Sequence, residues 1–261
     1  MIKLAAFDVD GTLKDRDYMP ESTRAALRTL RERGVALAIC TGRSEFELAS
    51  LREELGIDWA VTCNGSHIGY RGKTVAGNPF PKELVRSWLA LAERAGHEVL
   101  LYAADAMFLN RADAPRFRQA QGEIGFLEPA VLSPDAWASL PDIYQCIAFC
   151  EAEEQEAYTS LAEGGLYVHR WRPWAVDFNP RGMNKAVGLK RLLEHLSLAP
   201  EEAAAFGDGL NDLEMMELVG NAIVMGNGCD ELKAKATFVT KPLREDGIAH
   251  AVAHLERSMA I

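Results

Sequence analysis

The chain has 261 residues, enough to bury a large core and to form one large or two moderate domains. With 48% hydrophobic and 25% charged residues it has the composition of an ordinary soluble globular protein, and its formal charge of −10 argues against a nucleic-acid surface or an anionic membrane as partner. An anionic substrate therefore needs local positive charge, from a metal and a few Lys or Arg. The five cysteines, odd in number and without framework spacing, suit a reducing cytosol. Cys146 and Cys150 fall on an expected strand and read as core rather than as metal ligands. No signal peptide is expected, because Asp8 interrupts the only early apolar run, and no segment approaches the ~20 apolar residues that span a bilayer. The expected location is cytoplasmic, with no obligate protein partner evident, so that Asn64-Gly65-Ser66 is a glycosylation sequon in form only.

The apolar run Ile2 to Phe7 reads as a buried strand that ends abruptly in Asp8-Val9-Asp10-Gly11-Thr12. In an open parallel sheet, ligands bind beyond the carboxyl ends of the strands, so acids there are placed for chemistry. Side chains at i and i+2 of an extended segment point the same way, which aims Asp8 and Asp10 at one small volume where they can share a hard cation. An ionised Asp can also attack phosphorus, and a second acid can move the proton. Gly11 would let backbone amides approach an anion. A calcium loop starting at Asp8 would need Gly and Glu where Leu13 and Met19 stand, and is excluded.

A helix from Pro20 to Arg33 stops at Gly34, Val35 to Cys40 is a second buried strand, Glu45 to Leu55 a second helix capped by Ser44, and Trp59 to Cys63 a third strand. Strand and helix alternating in this way predict a parallel, doubly wound sheet. The second strand ends in Thr41-Gly42-Arg43, where a hydroxyl and a reachable amide could meet phosphate, although an ordinary strand-to-helix loop would look the same. His67 to Val75 reads as a hairpin turning at Arg71-Gly72-Lys73. Gly72-Lys73-Thr74 is not a P-loop, since His67 stands where that motif needs Gly.

Gly77-Asn78-Pro79-Phe80-Pro81 breaks the pattern as a linker. Helices are then expected over 82–94, 114–121 and 152–163, and strands over 97–102, 107–109, 143–150, 166–171 and 175–178. Trp171-Arg172-Pro173-Trp174 reads as a hairpin turn. This block carries no clustered acids at a strand end, and predicts an inserted α/β domain with a mixed or antiparallel sheet and helices on one face. Asn179-Pro180-Arg181-Gly182 is the expected return linker.

Asn184 then caps a helix with Lys185 in its first turn, where the helix dipole disfavours a cation. Ala203 to Phe206 is a short strand ending in Gly207-Asp208-Gly209-Leu210-Asn211-Asp212. Asp212 could cap the next helix and Asn211 could close a turn, but Asp208 between two glycines suits a metal carboxylate, with Asp212 a second ligand or a partner that orients it. Strands at 222–225 and 238–240 and a helix from 245 to 256 complete the chain.

Four of these stretches, in order, resemble the motifs of the haloacid dehalogenase (HAD) superfamily of phosphotransferases: Asp8-x-Asp10-Gly11-Thr12, Thr41 at the second strand end, Lys185 in Pro180-x-Gly182-x-x-Lys185, and Gly207-Asp208-x-x-Asn211-Asp212 followed by Met215. Thr41-Gly42-Arg43, Asn64-Gly65 and Asp246-Gly247-Ile248 also follow the Cof-like (type IIB) sugar phosphatase group. The resemblance implies a Rossmann-like core at 1–78 and 181–261, with a C2-type cap at 79–180 that chooses the substrate. It implies a Mg2+-dependent phosphatase acting on a small phosphorylated metabolite, probed first among sugar phosphates. Asp8 would be the nucleophile and Asp10 the acid and base. Mg2+ would be held by the Asp8 side chain, the Asp10 backbone carbonyl and Asp208, with Asp212. Thr41 and Lys185 would hold phosphoryl oxygens, with Gly11, Gly42, Arg43, Asn64 and Asn211 as further phosphate or substrate contacts. The alternatives are a phosphomutase on the same scaffold and a non-catalytic phosphate-sensing protein.

Overall fold

In a computed structural model, which describes residues 1–258 and residue 261, the chain builds two sheets. The strands are β1 (Leu4–Phe7), β2 (Ala36–Cys40), β3 (Trp59–Thr62), β4 (His67–Tyr70), β5 (Lys73–Gly77), β6 (Glu98–Tyr102), β7 (Met107–Leu109), β8 (Ala130–Val131), β9 (Gln145–Phe149), β10 (Leu166–Arg172), β11 (Ala175–Pro180), β12 (Ala203–Gly207), β13 (Asn221–Val224) and β14 (Phe238–Val239). The helices are α1 (Glu21–Glu32), α2 (Glu45–Leu55), α3 (Lys82–Ala95), α4 (Pro115–Ile124), α5 (Gln155–Thr159), α6 (Lys185–His195), α7 (Leu213–Leu218), α8 (Asp230–Lys233) and α9 (Gly247–Arg257).

The first sheet runs β14-β13-β12-β1-β2-β3-β4-β5 and is parallel as far as β3, with the β4–β5 hairpin antiparallel at its edge. Its strands are apolar on both faces because both are covered. Ala5, Phe7, Ile39 and Phe206 pack with Leu27 and Leu30 of α1, Leu48 of α2 and Ile248 and Ala251 of α9. Leu4, Ala6, Ala38 and Ala205 pack with Leu189 and Leu192 of α6 and Met215 of α7. Strand order reverses at β1, which lies between β2 and β12, so the crevice beyond its carboxyl end is where such a fold accepts ligands.

The second sheet runs β10-β11-β9-β6-β7-β8 and is antiparallel except for the β7–β8 pair. It differs from the expected element pattern in three ways. Helices do not lie on one face: Val85, Trp88 and Tyr158 of α3 and α5 cover Val99, Leu101 and Cys146, whereas Phe117 and Ala120 of α4 cover Leu100, Ile147 and Phe149 on the other. The helix expected over 152–163 shortens to a 3₁₀ turn at Ala152–Glu154 and the five residues of α5, because the Leu161 and Ala162 amides bond three residues back, to Tyr158 and Thr159, ahead of Gly164-Gly165. Asn179 and Pro180 belong to β11, paired with Tyr167 and Leu166, so the return to the first sheet starts at Arg181. Cys146 and Cys150 are buried and free, as a core reading requires. Among the described residues no helix is long and apolar enough to cross a membrane.

After β3 the backbone turns left-handed at three successive residues, Cys63, Asn64 and Gly65. Gly65, at φ +92°, lies against the first turn of α6, where an added Cβ would come within 2.0 Å of the Asn184 carbonyl oxygen. Gly65→Ala is therefore expected to destabilise the fold by about 2 kcal/mol, through a strained φ and a forced shift of α6. Urea unfolding read by circular dichroism measures it, as a lower midpoint at unchanged slope.

Candidate active site

Four parallel strands deliver polar residues to one crevice. Asp8 follows β1, Thr41 follows β2, Asn64 lies just past β3, and Asp208 follows β12. The Asp8 amide donates to the Phe206 carbonyl and the Thr41 amide to that of Val61, so the strand ladder fixes both residues. Lys185 is the first residue of α6, whose start is capped by Asn184 accepting from the Val187 amide. The position leaves its side chain no route to solvent: it is 1% exposed, and its ammonium lies 2.8 Å from Asp8 Oδ1 and 2.7 Å from Asp212 Oδ1. Asp212 is completely buried and spends its other oxygen on the amides of Asp208 and Gly209, both at 3.0 Å. It does not cap α7 with its side chain. Asp208 accepts from the Thr12 hydroxyl at 2.7 Å, a contact the sequence motif contains but that had no role in the reading.

Burial works to lower the Lys185 pKa, but Asp212 and Asp8 outweigh it, so the ammonium is held charged. Burial, with repulsion from neighbouring carboxylates, raises Asp8 and Asp208 against the pull of Lys185 and of the Thr12 hydroxyl. Three carboxylates thus face one ammonium. Oxygens of Asp8, Asp208 and Asp212 lie within 4.8 Å of one another, and Asp8 and Asp208 keep free lone pairs, which fits a hard divalent cation. With both Asp212 oxygens engaged, it serves this donor set by holding Lys185 and the Asp208 loop. Gly11, at φ +84°, allows that convergence, since a Cβ there would fall 2.2 Å from Asp208 Oδ2.

Asp10 does not join this cluster through its carboxylate. The strand ends at Phe7, so the i, i+2 rule no longer holds, and the chain turns the side chain toward Arg43. The guanidinium clamps it with two bonds, Nε to Oδ2 at 2.7 Å and Nη2 to Oδ1 at 2.8 Å. Arg43 Nη2 also donates to the Ile124 carbonyl at 2.8 Å, and Nη1 lies 3.5 Å from the buried Glu47. Expected as an anion contact, Arg43 is committed to carboxylates here. Asn64 is likewise engaged. Its amide nitrogen reaches Gln145, Asp177 and Asn179 at 3.1–3.3 Å, and its oxygen accepts from Asn211.

A cavity of about 380 Å³ lies between these strand ends and the second sheet. Its floor includes Asp8, Asp10, Thr41, Gly42, Arg43 and Asn211, and its roof Tyr102, Phe126, Gln145, His169, Trp171 and Asp177. Gln145 donates to the Gly42 carbonyl across the gap. The roof residues escaped the sequence reading, since each sits in a strand or loop with no motif. Trp171 is part of the expected hairpin and also lines the cavity. Asp177 is 7% exposed, accepts from Trp171 Nε1 at 2.7 Å, and is pushed up to about 7 by burial, against the hydrogen bonds of Trp171 and Asn64.

A buried lysine between two aspartates at the switch point of a doubly wound sheet, under a second sheet, is the arrangement of a phosphoryl-transfer enzyme of HAD type. The chain belongs to the haloacid dehalogenase-like hydrolase family, whose model matches residues 5–252. It is 39% identical over 97% of both chains to YkrA of Bacillus subtilis (strain 168), provisionally named a phosphatase, and 32% identical to the HMP-PP phosphatase of Yersinia pestis (strain Pestoides F), over 97% of this chain and 95% of that one. Among solved structures it is similar to a hypothetical protein from Geobacillus kaustophilus HTA426, with a TM-score of 0.88 and 35% identity over the whole of both chains. The HAD subclass IIB sugar phosphatase BT4131 superposes with a TM-score of 0.84 at 25% identity, over 99% of this chain and 100% of that one. The protein is a HAD-family phosphatase.

Removing the ammonium from among these carboxylates leaves buried charge unpaired. Lys185→Met is expected to lower the unfolding free energy by about 3 kcal/mol at neutral pH, measured by urea unfolding.

Proposed function

We propose that the enzyme hydrolyses small phosphomonoesters, sugar phosphates in particular, with Mg2+, in two steps through a phosphoryl group carried on Asp8. The observation that carries this reading is the Lys185 ammonium, buried and shared by Asp8 and Asp212, next to a cavity that Asp8 lines. Held by Lys185 through Oδ1, Asp8 presents its other oxygen to the cavity, where it attacks phosphorus and the ester oxygen departs. Thr41 and Lys185 lie at neighbouring strand and helix ends, placed to receive the phosphoryl oxygens. Asp8 and Asp208 are the residues that would hold Mg2+, with the Asp10 backbone carbonyl, while Asp212 orients the Asp208 loop; when bound, the ion offsets the charge of the transferring group.

Asp10 is the group positioned to move protons. Held by Arg43 as described above, its carboxylate suits the second step, taking a proton from the water that hydrolyses the Asp8 phosphoryl group. In the first step the departing alkoxide would take a proton carried at the acceptor site that each Asp10 oxygen keeps beside its bond to Arg43. The 79–180 segment serves as the cap that excludes water and contacts the leaving group. The likeness to the sugar phosphatase BT4131, whose fold covers 99% of this chain, supports the substrate class.

Phosphate release from a panel of phosphorylated metabolites, with Mg2+ and with chelator, tests the proposal. Chelator-sensitive release from sugar phosphates is expected, with Asp8→Asn lowering turnover at least about 1,000-fold at an unchanged circular dichroism spectrum. Retained turnover in Asp8→Asn would remove Asp8 as nucleophile, and isomer formation in place of phosphate release would make the enzyme a mutase.

A further inference from the structure

Two roof groups have hydrogen-bonding capacity that the protein does not use. Tyr102 on β6 lines the cavity, and its buried hydroxyl has no hydrogen-bond partner among the described residues. Asp177, also lining the cavity, takes one donor on each carboxylate oxygen, from Trp171 and Asn64, and forms no ion pair among the described residues. A carboxylate oxygen accepts two hydrogen bonds, so each oxygen keeps a free site. The two guanidiniums nearest the cavity are occupied elsewhere, Arg43 by Asp10 and Arg172 by Glu123. A buried hydroxyl without a partner and a buried carboxylate without a cation are both unfavourable in the free protein, and both are relieved by the same kind of ligand.

We propose that Tyr102 and Asp177 form the leaving-group subsite of this phosphatase, and that it selects a neutral polyol. The inference rests on the phosphomonoesterase reading above and names its selectivity. The hydroxyls of a polyol can donate to Asp177 and accept from Tyr102. An ammonium could serve Asp177 but could not accept from Tyr102. A carboxylate on the leaving group could accept from Tyr102 but would bring a second negative charge against Asp177, which burial already disfavours as a carboxylate, so phosphorylated hydroxy acids bind less well than polyol phosphates. Trp171 and Phe126 supply flat apolar walls beside these groups for the C–H face of a sugar ring.

The test compares a hexose phosphate, phosphoglycolate and p-nitrophenyl phosphate as substrates of the wild-type enzyme, Tyr102→Phe and Asp177→Asn. The wild type is expected to prefer the hexose phosphate to phosphoglycolate. Tyr102→Phe should lower kcat/KM on the hexose phosphate about tenfold relative to p-nitrophenyl phosphate, through KM, without lowering the unfolding midpoint, because the hydroxyl it removes bonds nothing in the free protein. Asp177→Asn should lower the same ratio and raise phosphoglycolate relative to the hexose phosphate, by about tenfold or more. Equal losses on all three substrates would make the two residues structural and overturn the subsite, as would unchanged ratios in both variants. A wild type that cleaves only p-nitrophenyl phosphate, or prefers phosphoglycolate, would overturn the polyol preference while the phosphatase reading stands. Release from none of the three would fail that reading itself.

Discussion

The structure depends on one buried ammonium. Lys185 sits at the start of α6, where the helix dipole opposes it, and it is shut away from water, yet it is charged because Asp8 and Asp212 hold it from either side. The three residues come from β1, α6 and the loop after β12, so this ion triad joins the two halves of the first sheet at the point where strand order reverses. Asp212 extends the linkage, because its second oxygen fixes the two amides that aim Asp208. Negative charge still exceeds positive in this volume. A protein selected only for stability would replace such a cluster with apolar side chains. Its persistence at a strand-end crevice marks a site where stability is given up for charge that another species completes.

The second sheet meets this site through several polar contacts, beside the packing of Cys63 and His67 against Tyr144 and its neighbours. Gln145 donates to the Gly42 carbonyl, Arg43 to the Ile124 carbonyl, and Asn179 to the Cys63 carbonyl, while Asn64 is shared among Gln145, Asp177 and Asn179. Each such bond exchanges for one with water at little net free energy, whereas separating an apolar interface would expose surface at a steady cost per unit area. A roof held in this way can shift over its partly open cavity at little cost and without unfolding either sheet.

The fold was legible because its signals are local. Apolar runs of four to six residues, stopped by Asp, Thr, Asn or Gly, mark both the strands of the first sheet and the ends that carry polar groups, and Lys185 stands out as a cation at the wrong end of a helix. The roof was illegible for a matching reason. Asp177 lies between Val176 and Phe178 and reads as a strand interior, and Tyr102 closes an apolar run. Whether either faces a cavity or a helix is decided by the pairing of β11 with β9 and β9 with β6, which no local pattern encodes. The side of the sheet taken by α4 was hidden in the same way. Asp10 shows the limit of a periodicity rule: three residues beyond the end of the strand, alternation no longer fixes direction, and an arginine 33 positions away does.

Arg43 ties these themes together. Its guanidinium has one face on Asp10, one edge on Glu47 and one nitrogen on the Ile124 carbonyl of the roof. Glu47 is itself fixed, since it forms the capping box of α2 with Ser44, so the arginine is anchored to the core at the first turn of a rigid helix. Movement of the roof removes one of the contacts that orient the guanidinium, and the remaining ones, to Asp10, must then readjust. A bidentate pair tolerates little rotation, because both bonds depend on the two planes staying aligned. The placement of Asp10 is therefore coupled to the closure of the roof through a single side chain, and the residue proposed to move protons is held most firmly when the cavity is shut.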